Sequence, residues 1–211
     1  MSVVMLQGFT LGASLIMPIG AQNAYVLRQG LRRERHLWVA GLCLLCDCLL
    51  IALGVFGGGQ ALASLPWLKL TLTLGGSLFL LVYGGQSLWR AWRNGSARLD
   101  LLGEGAGDKA ILFTTLGVTL LNPHVYLDTV MILGSMAAQW PHEALPAFAL
   151  GAVLASAVWF FGLALLAARL APWLRHPLVP RGIDALVGLI MLGLGSRLLW
   201  SLVGGFFARS A

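Results

Sequence analysis

Long apolar runs, separated by short polar or glycine-rich segments, dominate the chain. There are six of them, covering approximately residues 3–27, 37–62, 65–89, 110–138, 144–170 and 183–203. Each run has the roughly 20 residues that a helix needs to cross a bilayer core of about 30 Å. The pattern therefore predicts an all-α membrane protein with six transmembrane helices.

Polar residues interrupt the fourth run, where residues 121–128 read Leu-Asn-Pro-His-Val-Tyr-Leu-Asp. Pro123 removes a helical hydrogen bond, and hydrocarbon tolerates such a loss only where protein groups or a water-filled cavity compensate for it. A carboxylate at mid-span costs roughly 2.5–3.5 kcal/mol, so Asp128 should face protein or water. We interpret this broken helix as part of a binding site for a small cation. Asn122 and Tyr126 of the same segment are further candidate binding residues.

The first run repeats this arrangement 105 residues earlier, because Pro18 then aligns with Pro123 and Asn23 with Asp128. Pro18 and Gly20 predict a second helix break, so that the first and fourth helices are both broken. Gln22 and Asn23 carry donors and acceptors for a polar ligand. The alternative is a kinked helix whose amide side chains bond to a neighbouring helix.

The ends of the third and sixth runs are also related, since residues 84–89 and 195–200 both read Gly-x-x-x-Leu-Trp. These matches predict two three-helix repeats, residues 1–92 and 110–211, within one transmembrane domain. Residues 93–109 form a cytoplasmic linker loop in this interpretation. Because three is an odd number, the second repeat enters the membrane from the opposite side, as in many secondary transporters.

Asp47 lies near the middle of the second run, with no Lys or Arg one helical turn away. Its partner must therefore be another helix, a proton or a ligand, and a functional role is predicted. The neighbouring residues Cys43, Cys46 and Cys48 are an odd number in one apolar helix, which disfavours disulfides. They are interpreted as packing residues, and a thiol-redox or metal transporter is the alternative. No metal site and no cofactor are predicted.

Charged residues are few, and the basic ones concentrate in alternate loops. The chain has 211 residues, 58 % hydrophobic and 10 % charged, with a net charge of +6. Eleven of the 14 basic residues fall in three loops: Arg28, Arg32, Arg33, Arg35; Arg90, Arg93, Arg98, Lys109; and Arg169, Arg175, Arg181. Cytoplasmic loops carry such an excess, so both termini are predicted to be periplasmic. This distribution argues against a nucleic-acid partner.

Two charged residues lie in the sixth run. Asp184 is predicted to open the last helix, where a carboxylate complements the positive end of the helix dipole. Arg197 is interpreted as a residue that extends to the membrane surface beside Trp200. Contact of Arg197 with a substrate carboxylate or with a buried acid is the alternative.

Four segments together resemble a known family: residues 18–24, Asp47, residues 84–89 and residues 121–128. They are similar to the lysine/arginine exporter (LysE type) family, in its arginine-exporter branch, over essentially the whole chain. The resemblance implies a bacterial inner-membrane transporter, not an enzyme, that exports arginine and, as further candidates, lysine and canavanine. It also implies that transport depends on Asp47 and Asp128. The wider superfamily includes exporters of neutral amino acids such as threonine and homoserine, which remains an alternative.

The expected partners are a basic amino acid, membrane lipid, and protons as the coupling ion. Burial favours the neutral form of a carboxyl group and a bound cation favours the carboxylate, so one acid can carry either. Small-residue faces at Gly54/Gly58 and Gly151/Ala155 permit a homodimer or packing within the chain. An intramembrane aspartyl protease also needs two acids, but its Gly-x-Gly-Asp signature does not occur around Asp47 or Asp128.

Overall fold

The structure is a computed structural model that describes residues 1–18, 20–33, 35–58, 66–92, 108–122, 125–172 and 178–207. All regular secondary structure within these ranges is helical, which confirms the all-α prediction. The predicted linker loop, residues 93–109, lies outside the described residues except for its last two positions.

Eight α-helices occur in the described ranges. They are α1 (Ser2–Ile16), α2 (Ala21–Arg32), α3 (His36–Leu53), α4 (Pro66–Trp92), α5 (Asp108–Leu120), α6 (Leu133–Ala137), α7 (Leu145–Leu170) and α8 (Leu178–Phe207). The segment Gly54–Gly58 continues α3 through a kink, at which Phe56 and Gly57 have non-helical backbone angles. A π-helical segment, Tyr126–Ile132, precedes α6, and a 3-10 turn, His142–Ala144, precedes α7. Within the described residues, each of the six apolar runs thus contains helical structure.

By length and composition, three helical stretches in the described ranges can cross a membrane. They are His36–Gly57, His142–Leu170 and Arg181–Trp200, and the bent pair of α1 and α2 makes a fourth. The apolar helices support a multi-pass membrane protein. The count of six spans, the inverted orientation of the two halves and the location of the termini stay predictions.

The first helix is broken where the sequence predicts it. α1 ends at Ile16 and α2 begins at Ala21, and the two helices are bent by 83°. Gly20 is the N-cap of α2 in an extended conformation and supplies no side chain to cap the helix. The first backbone N–H groups of α2 therefore point towards the break without a helical partner.

The fourth apolar run is also interrupted within the described residues. α5 ends at Leu120, and helical structure continues in the π-helical segment that begins at Tyr126. Pro123, to which the sequence assigns the break, lies outside the described residues, as does His124. The described residues on both sides agree with an interruption at this point.

The elements of the two halves pack in matching pairs. α4 packs along α8, and α3 packs along α7. α1 and α2 pack on α7, and correspondingly α5 and the π-helical segment Tyr126–Ile132 pack on α3. If each of these elements is replaced by its counterpart in the other half, the same pairs of elements are in contact. The packing therefore agrees with an internal repeat.

Glycines bring the backbones of α1 and α7 into direct contact. A Cβ atom on Gly8 would overlap the carbonyl group of Phe148, and one on Gly151 would overlap the carbonyl oxygen of Met5. The obstacle is backbone in both cases, so a side-chain rotation cannot relieve the overlap. Close approach of these two helices requires the absence of a side chain at both positions.

A second close contact joins the end of α3 to α6. A Cβ atom on Gly54 would lie 2.6 Å from the carbonyl oxygen of Thr129, and one on Gly134 would lie 2.6 Å from that of Gly54. The predicted small-residue faces at Gly54 and Gly151 therefore serve packing within the chain. The homodimer stays a prediction.

We expect Gly151→Ala to destabilise the protein by about 1–3 kcal/mol, because the added methyl group separates α1 from α7. Gly162→Ala is the matched control on the same helix, since a Cβ atom there has no neighbour within 4 Å. It should be neutral or slightly stabilising, because alanine favours a helix. Thermal unfolding in detergent compares the two variants, and equal midpoints would contradict this view of the α1–α7 contact.

Two predictions about charged residues are wrong. Six of the basic residues assigned to loops lie in helices: Arg28 and Arg32 in α2, Arg90 in α4, Lys109 in α5, Arg169 in α7 and Arg181 in α8. Arg28 is moreover only 4 % exposed. Asp184 does not open the last helix, because α8 begins at Leu178, and Asp184 is 5 % exposed. The two side chains form a buried ion pair, with Arg28 Nε and Asp184 Oδ1 3.1 Å apart. Arg28 also donates a hydrogen bond of 2.7 Å to the hydroxyl of Tyr83 on α4. Because each charge finds its partner on another helix, α2 and α8 extend beyond the apolar runs.

Candidate functional site

A cavity of about 250 Å³ lies where the two helix breaks meet α3 and α8. Seven of the nine residues that the sequence assigns to binding or to a helix break line it: Pro18, Gly20, Gln22, Asn23, Asp47, Asn122 and Asp128. Pro123 is outside the described residues, and Tyr126 is treated below. The folding of the chain thus brings together candidate residues that are up to about a hundred positions apart in the sequence.

Asn23 connects the two parts of the first broken helix. Its Nδ2 donates hydrogen bonds of 2.8 Å to the carbonyl oxygens of Ile16 and Pro18, and its Oδ1 accepts one of 3.1 Å from Trp159 Nε1. The two carbonyl groups belong to the end of α1, which the break deprives of helical partners. Asn23 therefore stabilises the break and forms part of the cavity wall with polar groups that already have protein partners.

Substitution of Asn23 should weaken the protein in a graded manner. We expect Asn23→Leu to lower the free energy of unfolding by about 1–3 kcal/mol, since intramembrane hydrogen bonds contribute roughly 0.6–1.7 kcal/mol each. Trp159→Phe removes only the third bond and should cost about 0.6 kcal/mol. Thermal unfolding in detergent ranks the variants. An Asn23→Leu protein as stable as the wild type would show that the break needs no internal stabilisation.

Asp47 of α3 lies on the cavity wall and is 3 % exposed. Its Oδ2 accepts a hydrogen bond of 2.7 Å from the hydroxyl of Ser156 on α7. The sequence leaves open whether the partner of Asp47 is another helix, a proton or a ligand, and in the structure another helix supplies one. The hydroxyl of Ser156 is neutral, so it solvates the carboxylate without cancelling its charge. Sequence reasoning did not identify Ser156, whose only signal is a polar residue within an apolar run.

The second break contributes Asn122 and Asp128 to the same cavity. Asn122 is buried and follows α5, and the half-buried Asp128 lies in the π-helical segment Tyr126–Ile132. The hydroxyl of Tyr126 donates a hydrogen bond of 2.9 Å to the carbonyl oxygen of Leu120. Tyr126 thus acts on its break as Asn23 acts on the other: each reaches back to a carbonyl group at the end of the preceding helix.

Arg197 of α8 also lines the cavity. The sequence interpretation places Arg197 at the membrane surface beside Trp200, with contact to a substrate carboxylate or to a buried acid as the alternative. Arg197 is exposed and lies on the cavity wall, so both stay predictions. Within the described part of the chain, Asp47, Asp128 and Arg197 give the wall two carboxylates and one guanidinium, a formal charge of −1. Leu15 and Leu194 add apolar surface to the same wall. Such a cavity suits a small organic cation that has both polar and apolar parts.

The cysteines of α3 contribute to packing. Cys43 is completely buried and belongs to the same apolar cluster as Val39 and Phe160. Cys46 is buried as well, and Cys48 is half-buried. This environment supports the interpretation of the thiols as packing residues.

The family model described as LysE type translocator matches residues 13–202 of the chain. A putative amino-acid transporter YggA from Aeromonas salmonicida is 55 % identical over 193 residues, which cover 92 % of this chain and 94 % of the relative. Arginine exporter protein ArgO from Yersinia enterocolitica is 49 % identical over 90 % of this chain and 93 % of the relative. Arginine exporter protein ArgO from Serratia proteamaculans is 48 % identical over 95 % of this chain and 98 % of the relative.

No solved protein structure matches the chain. The family model covers well over half of its residues, and the relatives align with it over nearly their full lengths. The apolar helices and the two interrupted helices agree with a transport protein. The chain belongs to the family of LysE type translocators.

Proposed function

We propose that the protein exports basic amino acids, chiefly L-arginine, across the bacterial inner membrane in exchange for protons. Lysine and canavanine are further candidate substrates. The observation that carries this proposal is the single cavity that Asp47 and Asp128 share at the two helix breaks. Relatives of nearly the same length that are named arginine exporter support the choice of arginine.

The groups on the cavity wall are complementary to arginine. Asp47 and Asp128 can accept its guanidinium and its α-ammonium group, and a guanidinium pairs with a carboxylate through two parallel hydrogen bonds. The aliphatic part of the side chain can lie against Leu15 and Leu194. The N-terminus of α2, which begins at the cavity wall, directs backbone N–H groups and the positive end of its dipole towards an anion such as the α-carboxylate. Gln22 adds an amide to the polar wall.

Exchange with protons makes export energetically feasible. Moving a monovalent cation out against an inside-negative potential costs roughly 2.3 kcal/mol for each 100 mV. An incoming proton cancels this electrical term. A carboxyl group that is shielded from water favours its neutral form when empty and its ionised form beside a bound cation. Asp47 or Asp128 can therefore carry a proton inward and hold arginine on the way out.

Alternating access follows from the proposed architecture of six spans in two inverted repeats with both termini in the periplasm. The matching contacts between the two halves support the repeat, and the breaks provide the discontinuous helices on which such sites are built. The segments 1–92 and 110–211 are the two proposed repeats. Movement of one against the other would expose the shared cavity to each side in turn.

An exporter of neutral amino acids is the second candidate. The described residues of the cavity wall carry a formal charge of −1. A zwitterion such as threonine has no net charge and leaves this charge uncompensated, which is costly within the membrane. A substrate with a net charge of +1, such as arginine or lysine, is therefore favoured.

Counterflow in proteoliposomes tests the substrate and the coupling ion together. Vesicles loaded with unlabelled arginine, lysine or threonine are diluted into labelled arginine or, in a parallel series, into labelled threonine, with and without an imposed pH gradient. We expect arginine to exchange fastest, and a proton gradient directed against arginine movement to drive its accumulation. Exchange that is specific for threonine would favour the second candidate, and transport that ignores the pH gradient would overturn proton coupling.

A further inference from the structure

Arg197 is a charged residue of the cavity for which the proposed mechanism has no role. It lies one helical turn from Leu194 on α8, and both residues line the cavity that contains Asp47 and Asp128. Among the residues that the structure describes, Arg197 forms no ion pair with either of these carboxylates. Its guanidinium is therefore not committed to either carboxylate.

The charged groups on the cavity wall are opposite in sign to those of a basic amino acid. Among the residues that the structure describes, the wall carries the carboxylates of Asp47 and Asp128 and the guanidinium of Arg197. Arginine and lysine carry two positive groups and one negative group, so every charge of either ligand has an opposite charge on the wall. Within a membrane, charges are tolerated when they are paired. A ligand that lacks the negative group would leave Arg197 uncompensated beside two further cations.

We propose that Arg197 binds the α-carboxylate of the transported amino acid and thereby selects amino acids over amines with the same side chain. This inference rests on the proposed function. The planar guanidinium presents several N–H donors that fit the two oxygens of a carboxylate. The N-terminus of α2 can share the same carboxylate, because each carboxylate oxygen accepts more than one hydrogen bond.

Agmatine is the decisive ligand, since it keeps the guanidinium and a primary ammonium group of arginine but has no carboxylate. The purified full-length protein in detergent is titrated with labelled arginine, and agmatine or arginine is added as a competitor. The wild type should prefer arginine to agmatine by about 10- to 100-fold, the range expected for a charge-assisted pair of hydrogen bonds. Equal affinity for the two ligands would overturn the assignment.

Arg197→Gln should reduce arginine affinity by about 10- to 100-fold and leave agmatine affinity unchanged or increased. Arg197→Lys, which keeps the charge, should retain part of the preference. Arg169→Gln is the matched control, because Arg169 lies exposed in the last turn of α7. If Arg197→Gln lowers the affinity for arginine and the affinity for agmatine by the same factor, Arg197 has a structural role and the proposal is contradicted.

L-Argininamide provides a test that needs no variant, because it replaces the carboxylate by a neutral amide. Binding of argininamide to the wild type as tight as that of arginine would contradict the role of Arg197 even if the variants fail to fold. Wild-type protein that binds neither arginine nor agmatine would instead overturn the proposed function, and this assignment with it. The two failures are therefore distinguishable.

Discussion

Asp47→Asn should abolish arginine export while the protein remains folded and inserted in the membrane. The amide has nearly the shape of the carboxylate, and its oxygen can still accept the hydrogen bond from Ser156. It carries no negative charge and cannot exchange a proton, so it can neither pair with a cationic substrate nor take part in coupling. Asp128→Asn should have the same effect, because the second cationic group of the substrate loses its partner.

Export is measured as the release of labelled arginine from loaded proteoliposomes, with the amount of inserted protein determined in the same sample. Asp108→Asn is the matched control. Asp108 pairs with Arg35, but both side chains are exposed at the surface, at 82 % and 47 %. This control should transport normally. Normal efflux by Asp47→Asn or by Asp128→Asn would remove that carboxylate from the mechanism.

Ser156→Ala separates the charge of Asp47 from its hydrogen bond. If the carboxylate acts through its charge, removal of the hydroxyl should lower the export rate moderately, whereas Asp47→Asn eliminates export. A complete loss in Ser156→Ala would instead mean that the orientation of the carboxylate is decisive. Comparison of the two variants therefore assigns the role of Asp47 more sharply than either variant alone.

Local sequence patterns are sufficient to predict the helices and the position of the first break. Apolar runs of membrane length and the group of Pro18, Gly20 and Gln22 are features of neighbouring residues, and the structure has helices and an 83° bend at the corresponding places. The polar residues that line the cavity can be predicted for a similar reason. A polar side chain in the middle of an apolar run has few alternatives to an internal cavity or a partner on another helix.

Contacts between distant residues could not be predicted in the same way. Ser156 and Asp47 are 109 positions apart, and Trp159 and Asn23 are 136 apart. Periodicity shows which face of a helix is polar, but it does not show which other helix will meet that face. For this reason the sequence leaves open whether the amide of Asn23 faces a ligand or bonds to a neighbouring helix. The structure has it bonded within the protein, to Trp159 of α7 among others.

The charges of Arg28 and Asp184 were misplaced for the same physical reason. Each lies towards the end of an apolar run, where a charged residue normally reaches water. Their mutual contact, 3.1 Å between Arg28 Nε and Asp184 Oδ1, allows both to be buried. The helices α2 and α8 therefore continue past the positions at which composition alone would end them.

Breaking this buried pair should have a large effect on stability. Arg28→Met removes the guanidinium beside the buried carboxylate of Asp184, and it removes the hydrogen bond to Tyr83. We expect a loss of about 3–5 kcal/mol in the free energy of unfolding, the usual cost of removing one partner of a buried ion pair. Asp184→Leu should cost a similar amount. The double variant should recover much of the loss, because well-packed apolar residues often replace a buried pair without a net penalty.

The exposed ion pair of Arg35 with Asp108 provides the comparison within the same chain. Arg35→Met should cost less than about 1 kcal/mol, because water solvates the remaining carboxylate. Unfolding of the four variants in detergent measures both effects under identical conditions. Additive losses in the double variant, or a loss in Arg28→Met no larger than that in Arg35→Met, would contradict a buried, mutually compensating pair. A strong coupling between the two buried positions would instead show that a charge contact, and not apolar packing alone, holds α2 against α8.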